Sequence, residues 1–341
     1  MLTAFAFAGA ASASPPPAAV SQPGGPQADL VAPGDRLLMQ AASQLERRAS
    51  VTARLRHQIA ISGQQLYGAG SYSQQGSGED LKVRLELQIA GQDAQFLQVT
   101  DNRYIWIDRT LPTGRSVSRI DLRQLRADPS LTGGNFNDMK PGEASWSATQ
   151  SELISYTGGL PMLLASLKDN FDFLPPQAMR LALAPPLVAE ATNLPVWAVV
   201  GHWKPAQLDR LAPRPPGIQA GKNAFANQLQ QLPERMPQEV LLLVGQADLF
   251  PYRIEYRRLE TSQLSSSEGS SIPYQLSVHP LVVLELSDVK FDSQLPPGQF
   301  DYSPGTADWV DQTSVILDRL RQQHQAKVAV KTEGGASAAR Q

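Results

Sequence analysis

The sequence predicts an α+β protein built on an antiparallel sheet. Three observations carry that expectation. Strand-like stretches fill both halves of the chain, a single amphipathic helix stands between the halves, and strands and helices do not alternate as a parallel βαβ fold requires. The sheet has one oily and one wet face. Over Leu81–Ile89, Leu81, Val83, Leu85, Leu87 and Ile89 fall on one side, while Lys82, Arg84, Glu86 and Gln88 fall on the other.

In chain order, Asp35 is placed to cap a first helix, in which Leu37, Leu38, Ala41, Ala42 and Leu45 recur at helical spacing as far as Arg48. The period then shortens. Val51–Ser62 and Leu66–Ser73 read as strands, broken by Gly76 and Gly78, although the Gly/Ser-rich run 68–78 also suits a flexible hairpin loop. Phe96–Thr100 and Arg103–Arg109 flank Asp101-Asn102, two residues that tolerate positive φ, so a tight hairpin is expected. Val117–Leu122 extends the meander, and Arg123–Ser151 reads as loop. Leu160–Phe171 then reads as a helix with Pro161 near its start and Leu160, Leu163, Leu164, Leu167 and Phe171 on one face. Strands return at Val196–Trp203, Glu239–Gly245, Tyr252–Leu259 and Tyr274–Val289. A Pro-rich excursion, 205–237, carries a short helix over Ala224–Leu232, and Val310–Gln325 reads as a closing helix.

Composition narrows the function. A chain of 341 residues with 42% hydrophobic and 18% charged residues has enough apolar material for a substantial core. A formal net charge of −2 argues against nucleic acid as a partner, since phosphate binding needs a basic excess. The chain has no cysteine, which removes disulfides, thiolate metal sites, cysteine nucleophiles and a lipidated N-terminal Cys. The four histidines, His57, His202, His279 and His324, show no i, i+4 pair, so neither a metal nor a cofactor is expected. No G-x-S-x-G, G-x-G-x-x-G or H-E-x-x-H occurs, and Gly221-Lys222 lacks the rest of a phosphate loop. Carboxylates such as Asp108, Glu255 and Glu285 stand singly, where solvation is the simple explanation. His202 has no evident partner to tune it for catalysis. No catalytic residue is assigned, and the protein is expected not to be an enzyme.

The tails differ from the body. Met1–Ala13 is a short apolar run ending in an A-x-A-like peptidase site, though without a positive n-region, and reads as part of a signal peptide. Residues 14–34 are Pro/Gly/Ala-rich and read as a disordered tether, and 328–341 as a disordered tail. Residues 35–327 are the expected folded domain.

The order of elements resembles the LolA superfamily of periplasmic lipoprotein carriers and their relatives, the RseB-like envelope sensors among them. The resemblance rests on the N-terminal helix leading into Ser50–Leu55, on Phe96–Ile107, and on the helix Leu160–Leu167. It continues through Pro251–Tyr256, Val282–Phe291 and Leu295–Tyr302. The Pro205–Pro237 insertion and the Arg123–Ser151 loop depart from it, and the carrier's partner-docking arginine has no identified counterpart. The resemblance implies an antiparallel unclosed half-barrel sheet with helices covering the concave face, which holds acyl chains. It implies an exported, periplasmic protein whose partners are a lipid or acylated lipoprotein and a membrane-bound donor or acceptor protein. The alternative is an envelope-stress sensing or protein-interaction module with the same fold and no ligand. On the carrier reading, the expected ligand-binding residues are Val83, Leu85, Leu87, Leu97, Val99, Tyr104, Trp106, Trp197, Val199, Tyr252, Ile254 and Tyr256 of the sheet. Leu163, Leu164 and Leu167 of the middle helix form a lid over them. Alternation alone fits the same aromatics to an ordinary core.

Overall fold

A computed structural model describes residues 31–61, 64–128, 159–183, 192–214, 222–262 and 275–322. The expectations for residues 1–30, 129–158 and 323–341 lie outside them. The chain divides at Val31, and every element below belongs to the unit from Ala32 onward.

Helix α1 spans Pro33–Glu46, two residues into the stretch read as a tether. Pro33 suits a first turn, where its missing N–H has no partner to lose. Leu37, Leu38, Ala41 and Leu45 are buried on one side. Asp35 does not cap this helix. Its carboxylate accepts the backbone N–H of Phe173 at 3.0 Å and so ties α1 to a strand formed much later in the chain.

Six strands follow as a meander. They are β1 (Ser50–Ile61), β2 (Gln64–Gln75), β3 (Lys82–Ile89), β4 (Ala94–Asp101), β5 (Tyr104–Leu111) and β6 (Gly114–Asp121). The β4–β5 hairpin turns at Asn102, φ 66°, while Asp101 accepts the N–H groups of Arg103 and Tyr104. The Gly/Ser-rich run is not a loop up to Gln75 but lies inside β2. Its glycines are there for close approach: a Cβ on Gly68 would meet the His57 ring, and one on Gly70 the Glu86 carbonyl.

After β6, Asp121 caps a short helix α2 (Leu122–Ala127) inside the stretch read as loop. Helix α3 (Gly159–Asn170) is the expected middle helix, ending one residue early. Phe171 instead opens β7 (Phe171–Phe173), followed by β8 (Gln177–Leu183), β9 (Thr192–Trp203), α4 (Pro205–Leu211) and α5 (Lys222–Gln231). The chain closes with β10 (Glu239–Gly245), β11 (Pro251–Ser262), β12 (Gln275–Phe291), β13 (Trp309–Asp311) and a helix α6 over 313–322.

Among the described residues all 13 strands belong to one sheet, in the order β13-β6-β5-β4-β3-β2-β1-β12-β11-β10-β9-β7, with β8 also on β9. Each pairing is antiparallel except β13 on β6. The two meanders join where β1 pairs with β12, so the first strand and the last long strand meet in the middle of the sheet, and the open edges belong to residues near mid-chain and to the short final strand β13. This unclosed, almost wholly antiparallel sheet with helices packed on one face is the α+β arrangement that the sequence predicts.

Register decides what each face carries. On one face Val51, Ala53 and Leu55 of β1 align with Tyr72 of β2, Val83 of β3, Leu242 of β10, Ile254 of β11 and Leu286 of β12. Helices α1 and α3 cover this face, and together they form the main core. The Tyr72 hydroxyl locks α3 down by accepting the Leu160 N–H at 3.0 Å while donating to Gln74 at 2.6 Å. At the β4–β6 end the same face carries Ile105, Ile107 and Ile120, covered by Leu122 and Leu125 of α2 and by Ile316 and Leu320 of α6. The opposite face carries a ladder of charge. Arg56 reaches Glu285 at 3.3 Å, Arg253 reaches Glu285 at 2.6 Å and also Glu255, and Arg257 reaches Glu255 at 2.6 Å. The carboxylates at 255 and 285 are therefore buried and paired, not solvated singles. They belong to β11 and β12, whose pairing only the sheet order reveals. Strand β10, Glu239–Gly245, is buried along its whole length, as its unbroken apolar run requires.

Candidate functional site: an apolar groove beside the middle helix

Helix α3 covers the sheet without filling all the space at its C-terminal end. A cavity of about 390 Å³ opens there between α3, Phe171, Trp203, the 233–237 loop and Tyr256. From α3 it receives Leu163, Ser166, Leu167 and Asn170, and from the loop Pro233, Arg235, Met236 and Pro237.

Each wall is held from behind. Trp203, the last residue of β9, donates its indole N–H to the Pro237 carbonyl at 2.8 Å. Its ring lies on Phe171, with centroids 4.3 Å apart. The loop is pinned by Arg258, whose guanidinium donates to the carbonyls of Pro233 at 2.9 Å and Met236 at 3.4 Å. Gln238 fastens the loop's end by donating to Leu229 O and accepting from Leu259 N. At the C-terminus of α3, the Lys204 ammonium donates to the Lys168 carbonyl at 2.6 Å, where a cation also suits the helix dipole. The groove is thus largely preformed, as small-molecule sites are.

Its polar groups are few. The Asn170 amide is occupied by Ser166 O at 2.8 Å. Arg235 is exposed, is the only charged residue of the lining, and makes no ion pair or hydrogen bond among the described residues. Burial pushes the Tyr256 phenol up to about 12, so it remains a neutral donor, and no described residue accepts from it.

Of the residues expected to bind ligand, Leu163, Leu167 and Tyr256 line this groove. Val83, Leu164, Val199 and Ile254 lie on the helix-covered face but are packed solid, at 2% exposure or less. Leu85, Leu87 and Trp197 are half-buried against the same core. Tyr252 donates to Asp248 at 2.6 Å and stands edge-on to Phe250.

Leu97, Val99, Tyr104 and Trp106 are not on this surface. The register puts Val99 opposite both Arg84 and Trp106, and Leu97 opposite Glu86 and Asp108, which are residues of the charged face. The reason is the one-residue phase of β4 and β5. Their helix-side positions are Phe96, Gln98 and Thr100, then Ile105 and Ile107, a set too mixed in polarity to reveal its direction from sequence. There Trp106 packs against Tyr302 and Trp309, with Arg119 over the rings of Tyr104 and Trp309.

Sequence reading missed Trp203 and the 233–237 loop as walls. A tryptophan ending a strand and a Pro-Glu-Arg-Met-Pro run were visible signals, but nothing local says that they face one helix. His202 stands 3.7 Å from Glu239 on the charged face and not in the groove. Among the described residues no group of three or more His, Asp or Glu could hold a metal ion. No helix there is long and apolar enough to cross a membrane.

No family model and no curated protein matches the chain. Among solved structures it is similar to a DUF1329 family protein from Desulfovibrio piger, at 12% identity over 80% of this chain and 98% of that one, TM-score 0.31. It is similar also to a proposed outer membrane lipoprotein-sorting protein domain from Vibrio parahaemolyticus, at 10% identity over 79% and 96%, TM-score 0.29. A third is a LolA superfamily protein from Nitrosomonas europaea, at 13% identity over 79% and 98%, TM-score 0.25. Likenesses this remote carry no functional argument.

Proposed function

We propose that the protein binds and carries a lipid acyl chain, free or on a lipoprotein, in the groove beside α3, and that it works in the bacterial cell envelope without catalysing a reaction. The observation that carries this reading is the preformed apolar groove of about 390 Å³. A methylene occupies roughly the space of a water in the liquid, ~30 Å³, so the groove takes on the order of a dozen. At ~0.8 kcal/mol each, their burial is worth about 10 kcal/mol gross. Association entropy opposes this with a cost of similar order, which suits a carrier that must also release its load. The apolar run 1–13 supports export, and a membrane-bound donor or acceptor is the partner such a carrier needs.

Mass spectrometry of organic extracts from the purified protein tests the reading, together with uptake of a fluorescent fatty acid. Leu163→Arg places a charge in the groove from a half-buried position and is expected to reduce uptake at least tenfold with the melting temperature little changed. A wild-type protein that neither co-purifies with nor takes up any acyl chain would sink the carrier reading and leave the fold untouched.

A further inference from the structure

We infer that the groove selects a chain with a negatively charged end, a single-chain fatty acid whose carboxylate is met by Arg235. This rests on the acyl-chain reading and makes it chemically specific. The lining is apolar apart from Ser166, Asn170, Arg235 and the Tyr256 hydroxyl. Asn170 already donates to the backbone of its own helix. Arg235 is the only charged donor of the lining, and the neutral donors left beside it are the Tyr256 and Ser166 hydroxyls and the second Asn170 N–H. A guanidinium with no partner beside an apolar groove presents a planar fork that matches a carboxylate. Two other cations nearby are engaged elsewhere, Lys204 on the α3 carboxyl end and Arg258 behind the loop.

Size points the same way. Room for on the order of a dozen methylenes at ~30 Å³ each accommodates one chain rather than the several of a mature lipoprotein anchor. Such an anchor is also uncharged where its chains meet, and would leave Arg235 without a counter-ion. Tyr256, kept protonated by its burial, can donate to a carboxylate but gains less from a neutral ester or alcohol.

Calorimetric titration of the full chain with dodecanoate and with dodecan-1-ol, at low and high salt, tests the assignment. Wild-type protein is expected to prefer the carboxylate by about tenfold or more, with the preference shrinking as salt screens the pair. Arg235→Gln, at an exposed position, should abolish the preference by weakening dodecanoate binding about tenfold and alcohol binding much less. Tyr256→Phe should weaken dodecanoate binding severalfold and the alcohol less. Equal affinity of wild-type protein for the two ligands, or a preference that survives Arg235→Gln, overturns the inference while the groove stands as an acyl-chain site. Binding of neither ligand overturns the groove reading and this inference together.

Discussion

Tyr72 shows how one side chain settles the position of an element. It is buried, and its hydroxyl accepts the Leu160 N–H that α3 cannot satisfy in its own first turn. Burial pushes its phenol well above the ordinary range, so it is neutral at all working pH values. Tyr72→Phe should cost about 1–3 kcal/mol, because it leaves a buried N–H without an acceptor, and urea denaturation would register the loss. Asp108 is a contrasting case at the edge of the charged face. It receives two hydrogen bonds from Arg115, at 3.1 and 2.8 Å, and one from the Tyr302 hydroxyl at 2.9 Å. The Arg115 hydrogen bonds, with Tyr302 adding to them against desolvation, hold its carboxyl below the usual 3.8. A depressed folded-state value means stability present above the unfolded value and lost as pH falls through the folded one. Asp108→Asn should therefore cost about 1 kcal/mol at pH 7, allowing for the exposed arginine, and progressively less as pH falls below the unfolded value and through the depressed folded one. Melting curves of both proteins across that range decide it, and a penalty independent of pH would refute the assignment.

At the scale of elements, α3 divides its leucines between two tasks. Leu164 is fully buried over the sheet, and Leu163 looks into the groove. Leu164→Ala is expected to lower unfolding free energy by about 3 kcal/mol through lost burial and a residual cavity, with groove specificity retained in the folded fraction. Leu163→Ala should do the converse, changing ligand affinity more than stability, and paired denaturation and binding curves separate the two. The helix itself was legible from its i, i+3, i+4 stripe, as were β3, β10 and most of β11 from their alternation or apolar runs. The short elements were not. β7 has three residues and α2 has six, too few for either period to declare itself, and both exist because a partner holds them. β7 is fixed by β9 and by Asp35, and α2 by the Asp121 cap and the isoleucines beneath it. The Gly-rich part of β2 carried two readings, strand over Leu66–Ser73 and loop over 68–78, for a related reason. Glycine signals a loop locally, but here it permits the close approach of His57 and Glu86 from neighbouring strands.

At the scale of the molecule, the larger unit begins at Ala32, and the proposal for the segment before it is that export removes residues 1–13. Exported protein is expected to begin near Ser14, and intact-mass measurement finding Met1 retained would count against it. The sheet is assembled from two meanders that meet at β1 and β12, strands more than 200 residues apart. Such distant pairing is slow to form. What the sequence determined alone is local: the α+β class, the identity of the longer elements, the oily and wet faces of β3, and the absence of familiar catalytic and metal motifs. Those follow from periodicity and residue chemistry, which need no knowledge of neighbours. Only the tertiary structure decided which strands lie side by side, that Leu97, Val99, Tyr104 and Trp106 face away from the helices, and that Glu255 and Glu285 are paired. It alone brought α3, Trp203, the 233–237 loop and Tyr256 around one groove. The physical reason is that side-chain direction in a strand reverses with each residue, so a register shift of one exchanges the faces, and long-range pairing sets that register.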